Sequence, residues 1–420
     1  MKRILLFVGT RPEAIKMAPV IKAVEAAPDM EAVVVSTGQH RELLQQVIDL
    51  FDIEIHHNLS VMQPNQSLES LTANLVTSIG HLLKKVKPAL AIAQGDTTTA
   101  FAAALTSFYQ RIPFCHVEAG LRTGNLNAPF PEEANRRIIA VLASMHFPPT
   151  DVARANLLRE GVAPERILVT GNTVIDALLM EVRAQQSPSV TRRIDRLLRQ
   201  SIGADWRQPY VLITGHRREN FGAGMQEICA AIGELATRFP GHRFVYPVHP
   251  NPNVQRPVYS LLGNMPNVRL LPPLDYRTFI ALLRHCVLVL TDSGGVQEEA
   301  PTLGKPVLVM RETTERPEGV RAGTVRLVGA CAERIVSSVT ELLSNDAAFR
   351  EMAQSVNPYG DGHAASRIIT CLRKFQSESE MFPASSDFSG GAANIAPAAP
   401  QSAASPDMVP GQFISEFIAP

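Results

Sequence analysis

Apolar and β-branched residues fall along the chain in short runs, each followed by a longer segment in which they recur every three or four positions. The runs at 4–8, 32–37, 90–94, 112–117 and 167–170 predict strands, and the segments at 13–26, 41–51, 67–86, 99–110 and 131–143 predict helices between them. The second half repeats the scheme. Strands are expected at 211–214, 244–247, 269–271, 287–291, 307–310 and 325–328, interleaved with helices such as 225–238 and 278–285. Such alternation builds βαβ units around a parallel sheet, and two series of it predict an α/β fold with two Rossmann-like domains. Ligands of these sheets bind beyond the carboxyl ends of the strands, so a cleft between the domains is the expected active site.

A helical segment at 173–185 opens a new unit and places the boundary at 171–174, ahead of a polar stretch at 187–209 that holds the single tryptophan, Trp206. The expected division is 1–171 for the first domain, 172–362 for the second and 363–376 for a closing helix. From 377 to 420 Ser, Ala, Pro and Gly dominate; this composition buries too little surface to offset its ordering entropy and predicts a disordered tail.

Length and composition agree with this division. A chain of 420 residues is too long for one ordinary core, and 45% hydrophobic residues suffice for two. With 40 basic and 40 acidic residues there is no global field to recruit nucleic acid or an acidic membrane, so any anion site must be local. The five cysteines, Cys115, Cys229, Cys286, Cys331 and Cys371, stand far apart, which argues against a disulfide framework or a zinc site. No apolar stretch reaches membrane-spanning length, and the first strand leaves no room for a leader, so a cytoplasmic protein is expected.

The chemistry concentrates where strands end. Gly9-Thr10-Arg11-Pro12-Glu13-Ala14-Ile15-Lys16 follows the first strand, with Arg11 where an anion would meet a helix N-terminus. Gln94-Gly95-Asp96 and His116-Val117-Glu118 end two further strands, and Pro131-Glu132-Glu133 opens a helix. Each acid alone also suits a helix cap or first turn; three at one sheet edge suggest more. In the second half, Gly215-His216-Arg217-Arg218 offers a phosphate or proton-transfer group. Thr291-Asp292-Ser293-Gly294-Gly295, entering a helix, reads as a backbone phosphate cradle, with Glu299 in reach of ribose hydroxyls. The charged run from Arg311 to Glu318 is either a solvated loop or a cover over a diphosphate.

Together these motifs, with 171–178, 246–249, 304–310 and 357–362, resemble the non-hydrolysing UDP-N-acetylglucosamine 2-epimerases over residues 2–374. The resemblance implies a glycosyltransferase-B-like fold, a closing helix packed on the first domain, and a homodimer. It also implies reversible inversion at sugar carbon 2, giving UDP-N-acetylmannosamine for surface polysaccharide synthesis. No cofactor and no metal are implied. Carried over by motif, Asp96, Glu118 and Glu132 are acid/base residues at the sugar and His216 lies near the leaving diphosphate. Arg11, Ser293, Gly294 and Gly295 hold phosphates, Lys16 is a further substrate-binding residue, Glu299 holds the ribose and Phe279 the uracil, and Arg316 closes the site. Leu274 stands where some relatives carry a polar residue. Gln39 and His249 match residues that bind a second, activating substrate in some relatives, whereas Glu42 and Asn65 depart from that pattern. A glycosyltransferase of the same fold, a hydrolysing epimerase and a silent nucleotide-sugar sensor remain alternatives at this level.

Overall fold

The computed structural model describes residues 1–38, 41–62 and 66–374. Gln39, Asn65 and the Ser/Ala/Pro/Gly-rich tail lie outside them. The first sheet contains β1 (Lys2–Val8), β2 (Met30–Ser36), β3 (His57–Asn58), β4 (Leu90–Gln94), β5 (Phe114–Val117) and β6 (Met145–Phe147). Between and after these strands run α1 (Arg11–Glu25), α2 (Arg41–Phe51), α3 (Leu68–Val86), α4 (Thr98–Tyr109), α5 (Glu132–Leu142) and α6 (Asp151–Arg159). Two helices, α7 (Thr173–Ala184) and α8 (Pro188–Ser201), lead to the second sheet of β7 (Tyr210–Thr214), β8 (Arg243–Pro247), β9 (Val268–Leu271), β10 (Leu288–Thr291), β11 (Val307–Val309) and β12 (Val325–Leu327). Its helices are α9 (Ala223–Arg238), α10 (Pro252–Leu262), α11 (Tyr276–His285), α12 (Gly294–Thr302) and α13 (Pro317–Arg321). They are followed by α14 (Ala332–Ser344), α15 (Asp346–Gln354) and α16 (Ala364–Lys374).

Both sheets are parallel and share one topology. The first runs β3-β2-β1-β4-β5-β6 and the second, in the same sense, β9-β8-β7-β10-β11-β12. Each order reverses once, between β1 and β4 and between β7 and β10, and the carboxyl ends flanking such a reversal form the crevice in which doubly wound sheets hold ligands. Central strands covered on both faces must be apolar throughout: Ile4 to Val8 and Leu288 to Leu290 are fully buried.

The 167–170 run is a correction to the expected strands. It lies along the edge of β6, with Leu168 N–H on His146 O at 3.0 Å and Thr170 N–H on Pro148 O at 3.1 Å, but forms only a single bridge, Ile167 to His146. Pro148 and Pro149, lacking N–H groups, cannot return the ladder bonds. The sheet's sixth strand is instead the three-residue β6.

The two halves share apolar packing. One buried cluster runs from Ile4, Leu6 and Val8 through Val174, Ile175 and Leu178 of α7 to Leu212 and Val289 of the second sheet. Helix α16 returns to α1 and α7: Asp176 accepts the first two N–H groups of α16, from Ala364 and Ala365, at 3.2 and 2.9 Å. At the seam, the loop before α16 meets the start of α7. Asn172 N–H donates to Tyr359 O at 2.7 Å, and the Tyr359 hydroxyl donates to Arg316 O and accepts Gly319 N–H. A methyl group on either Gly171 or Gly360 would stand 3.3 Å from the other's Cα, and both have positive φ, so two backbones touch with no side chain between them.

Candidate active site

The first switch point is braced by a buried acid. Thr10 caps α1, and Glu13 completes the capping box by accepting Gly9 N–H (3.1 Å) and Thr10 N–H (2.7 Å) on Oε2. Its other oxygen accepts the Thr97 hydroxyl at 2.6 Å, tying the loop after β1 to the loop after β4. Burial pushes the Glu13 carboxyl up to about 7, against the pull of these donors. Arg11, the first residue of α1, is aimed across the cleft: Nη2 lies 3.5 Å from Leu274 O. Burial lowers its pKa, while Asp275, Glu299 and Tyr276 of the second half favour its charge.

Glu118, at the end of β5, has φ +62°, a left-handed conformation unusual outside glycine. Its Oε1 accepts Lys16 Nζ and, at 2.9 Å, Asn172 Nδ2; its Oε2 accepts Gln94 Nε2. Burial raises the carboxyl's pKa, but Lys16, Arg316 and the Asn172 bond outweigh it and hold the group below the usual carboxylate range. Lys16 shows the counterpart: burial disfavours its charge, Glu118 and then Glu298 more than restore it, and its pKa is raised.

Asp96 follows Gly95, whose α-position lies against Glu118: a methyl there would be 4.0 Å from Glu118 Oε2. The Asp96 carboxylate takes a two-pronged contact from Arg136, at 2.8 Å from Nε and 2.6 Å from Nη2, and its carbonyl accepts Asn135 Nδ2 at 2.8 Å. Helix α5 is thereby held over the β4 loop. The two acids that open α5 differ sharply. Glu133 is fully buried and spent on Thr123 N–H, Gly124 N–H, Arg136 and Arg137. Glu132 is half-buried, and its carboxylate has no hydrogen bond or ion pair among the described residues.

In the second half, His216 follows β7. Asp292, fully buried at the end of β10, accepts His216 N–H (2.9 Å to Oδ2), Arg217 N–H (2.9 Å) and Asn220 Nδ2 (3.2 Å). The His216 ring stacks on His249, centroids 5.5 Å apart. Burial lowers its pKa, Asp292 opposing and Arg217 and His249 adding to the effect. Ser293 and Gly294 lead into α12. A methyl on Gly294 would strike Arg316 Nη1 at 2.6 Å, whereas nothing lies within 4 Å of the corresponding point on Gly295. The start of α12 is thus bare backbone beside a guanidinium. Arg316 itself is largely enclosed, its side chain 11% exposed, with Nε on Glu298 Oε1 at 2.7 Å; burial disfavours its charge, but Glu298, Glu315 and Glu118 raise its pKa. Glu299 accepts the Tyr276 hydroxyl at 2.7 Å, and burial pushes its carboxyl up to about 7. Phe279 is half-buried one turn beyond Tyr276.

The structure therefore pairs Lys16 with Glu118, links Arg316 to them through Glu298, sets Arg11 near Glu299, and ties the Asp96 loop to α5, the helix that Glu132 opens. His249 meets His216; no contact joins His216 to Glu118. Four residues to which the sequence reading gave no role hold the site together: Glu13, Asn172, Asp292 and Glu298. The first three lie within motifs that the sequence marked and Glu298 directly precedes Glu299, yet their residue types suited caps and turns equally well. No helix among the described residues is long and apolar enough to cross a membrane.

Comparison with known proteins matches this architecture. The family model for UDP-N-acetylglucosamine 2-epimerase covers residues 22–373. The UDP-N-acetylglucosamine 2-epimerases of Escherichia coli O157:H7 and of strain K12 are each 52% identical, over 88% of this chain and 98% of theirs. The crystal structure of UDP-GlcNAc 2-epimerase from Neisseria meningitidis bound to UDP-GlcNAc superposes with a TM-score of 0.83 at 46% identity, covering 89% of this chain and all of that one. The Methanocaldococcus jannaschii enzyme in complex with UDP-GlcNAc and UDP gives 0.75 at 30% identity, covering 89% and 99%. By sequence over nearly its whole described length and by fold, the chain belongs to the UDP-N-acetylglucosamine 2-epimerase family.

Proposed function

We propose that the protein interconverts UDP-N-acetylglucosamine and UDP-N-acetylmannosamine without hydrolysing either. The hydrogen on sugar carbon 2 is not acidic while no charge develops beside it. As the C1–O bond to UDP breaks, C1 becomes oxocarbenium-like and the C2 proton can pass to a carboxylate, leaving a C1=C2 double bond, 2-acetamidoglucal. A proton delivered to the other face of C2 and the return of the UDP oxygen to C1 give the epimer. The chain must then supply an anion clamp for the leaving group and carboxyl groups for proton transfer.

Asp96, Glu118 and Glu132 are read as the acid/base group, Arg11, Ser293, Gly294 and Gly295 as the diphosphate clamp with His216, and Lys16 as a further substrate-binding residue beside Glu118. Glu299 takes the ribose, Phe279 the uracil, and Arg316 closes the site. Residues 1–171 then form the sugar side and 172–362 the UDP side, with 363–376 returning to the first. A homodimer is part of the same reading, supported by exposed Phe108 and Tyr109 on α4 and Ile138 and Val141 on the neighbouring α5.

The observation that carries the reading is the family match combined with carboxylates at adjacent strand ends, facing a glycine-rich helix start. Incubation with UDP-N-acetylglucosamine in deuterium oxide, followed by proton NMR, tests it. The expected product is UDP-N-acetylmannosamine with deuterium at carbon 2, at a rate unchanged by EDTA. Free N-acetylmannosamine with stoichiometric UDP would move the protein to the hydrolysing class.

A further inference from the structure

Glu298 is 1% exposed, yet its Oε2 has no hydrogen-bond partner, while Oε1 is bound by Arg316. An orphaned carboxylate oxygen in the interior is costly and calls for a reason. The nearest cation supplies one. Lys16 Nζ stands 3.9 Å from that oxygen while donating to Glu118 on the other side. An ammonium has three donors, and this lysine sits between two buried glutamates, one from each half of the chain, bonded to the first and about 1 Å short of a bond to the second.

We propose that Glu298 is a positioning residue for catalysis, drawing Lys16 away from Glu118 when the site is loaded so that Glu118 is released for proton transfer at sugar carbon 2. The inference rests on the acid/base role assigned to Glu118 above. Lys16 and Arg316 both favour the ionised form of Glu118, which makes it a weaker base. Transfer of Lys16 to Glu298 removes the stronger of those two attractions and satisfies the orphaned oxygen in the same movement. The charged and titratable groups facing the pair are Lys16 from α1, Arg316 at the head of α13, Glu299 and Tyr359 beside Glu298, and His116 on the strand of Glu118.

Glu298→Gln keeps the acceptor for Arg316 and removes the charge that attracts Lys16. The expected result is a loss of kcat of roughly tenfold or more with UDP affinity little changed, and an acid limb of the kcat–pH profile displaced to lower pH, because Glu118 retains Lys16. Glu298→Asp, which keeps the charge, should recover part of the rate, and is the fallback if the amide variant folds poorly. Because Glu298 acts through Glu118, the double variant Glu118→Gln/Glu298→Gln should be no slower than Glu118→Gln alone. Multiplying losses, or an unmoved acid limb, would overturn the proposal. Normal turnover in Glu118→Gln by itself would instead remove the underlying assignment of Glu118.

Discussion

Asp96 and Asp292 occupy equivalent places: each follows the fourth strand of its sheet, beside the reversal in strand order. Their surroundings are opposite. Asp292 has no exposed surface and is consumed by the backbone of the β7 loop and by Asn220, whereas Asp96 keeps 24% of its side chain open and answers only to Arg136 and the cleft. The neighbours Glu132 and Glu133 repeat the contrast within one helical turn. One topology therefore yields two kinds of acid, and what separates them is how many of a carboxylate's acceptor sites the fold has already filled.

The sharpest break of this comparison is catalytic. Asp96→Asn, Glu118→Gln and Glu132→Gln should each lower turnover by roughly 10²-fold or more, with UDP affinity by calorimetry nearly unchanged; normal turnover in any of them would return that acid to a structural role. Asp292→Asn should act mainly on stability, by about 2–3 kcal/mol in urea unfolding, since an amide N–H would face donors that a carboxylate accepts. An unchanged midpoint would dissolve the distinction. Arg11→Ala should weaken UDP binding by about tenfold, as expected for one charge-assisted contact.

The mildest effect concerns pH. Glu299 has a folded pKa of about 7 against an ordinary value of 4.5, so the folded state holds its proton more tightly and stability declines as pH rises from 4.5 through 7. Glu299→Gln, which still accepts the Tyr276 hydroxyl, should therefore melt higher than the parent at pH 8 and converge with it below 4.5. A parent that melts as high as the variant at pH 8 would mean that Glu299 stays ionised at no cost.

Much of this was legible in the sequence because parallel sheets covered by helices leave a plain signature: apolar runs ending in glycine and charge. Strand placement at β1, β4 and β7 followed directly. Strands of two or three residues did not: β3 and β6 are too short for periodicity to register, and β6 carries His146 within its buried run. Burial partners were invisible too. Glu132 and Glu133 are chemically identical and adjacent, and only the course of the 123–124 loop decides which is spent. Glu298 escaped notice for the same reason: its importance lies in Lys16, 282 positions away on α1 in the other half of the chain.

At the seam where Gly171 meets Gly360, the missing side chains have a practical meaning. Nothing but a pair of α-carbons spaces the halves there, so an alanine at either position is a wedge one methyl thick, applied without touching any group that handles substrate. Such a wedge should disturb the register of Lys16 and Glu118 against Glu298 and Arg316 while leaving each of them chemically whole. The molecule thus carries its own gauge of how closely two lobes must be set for one active site to exist.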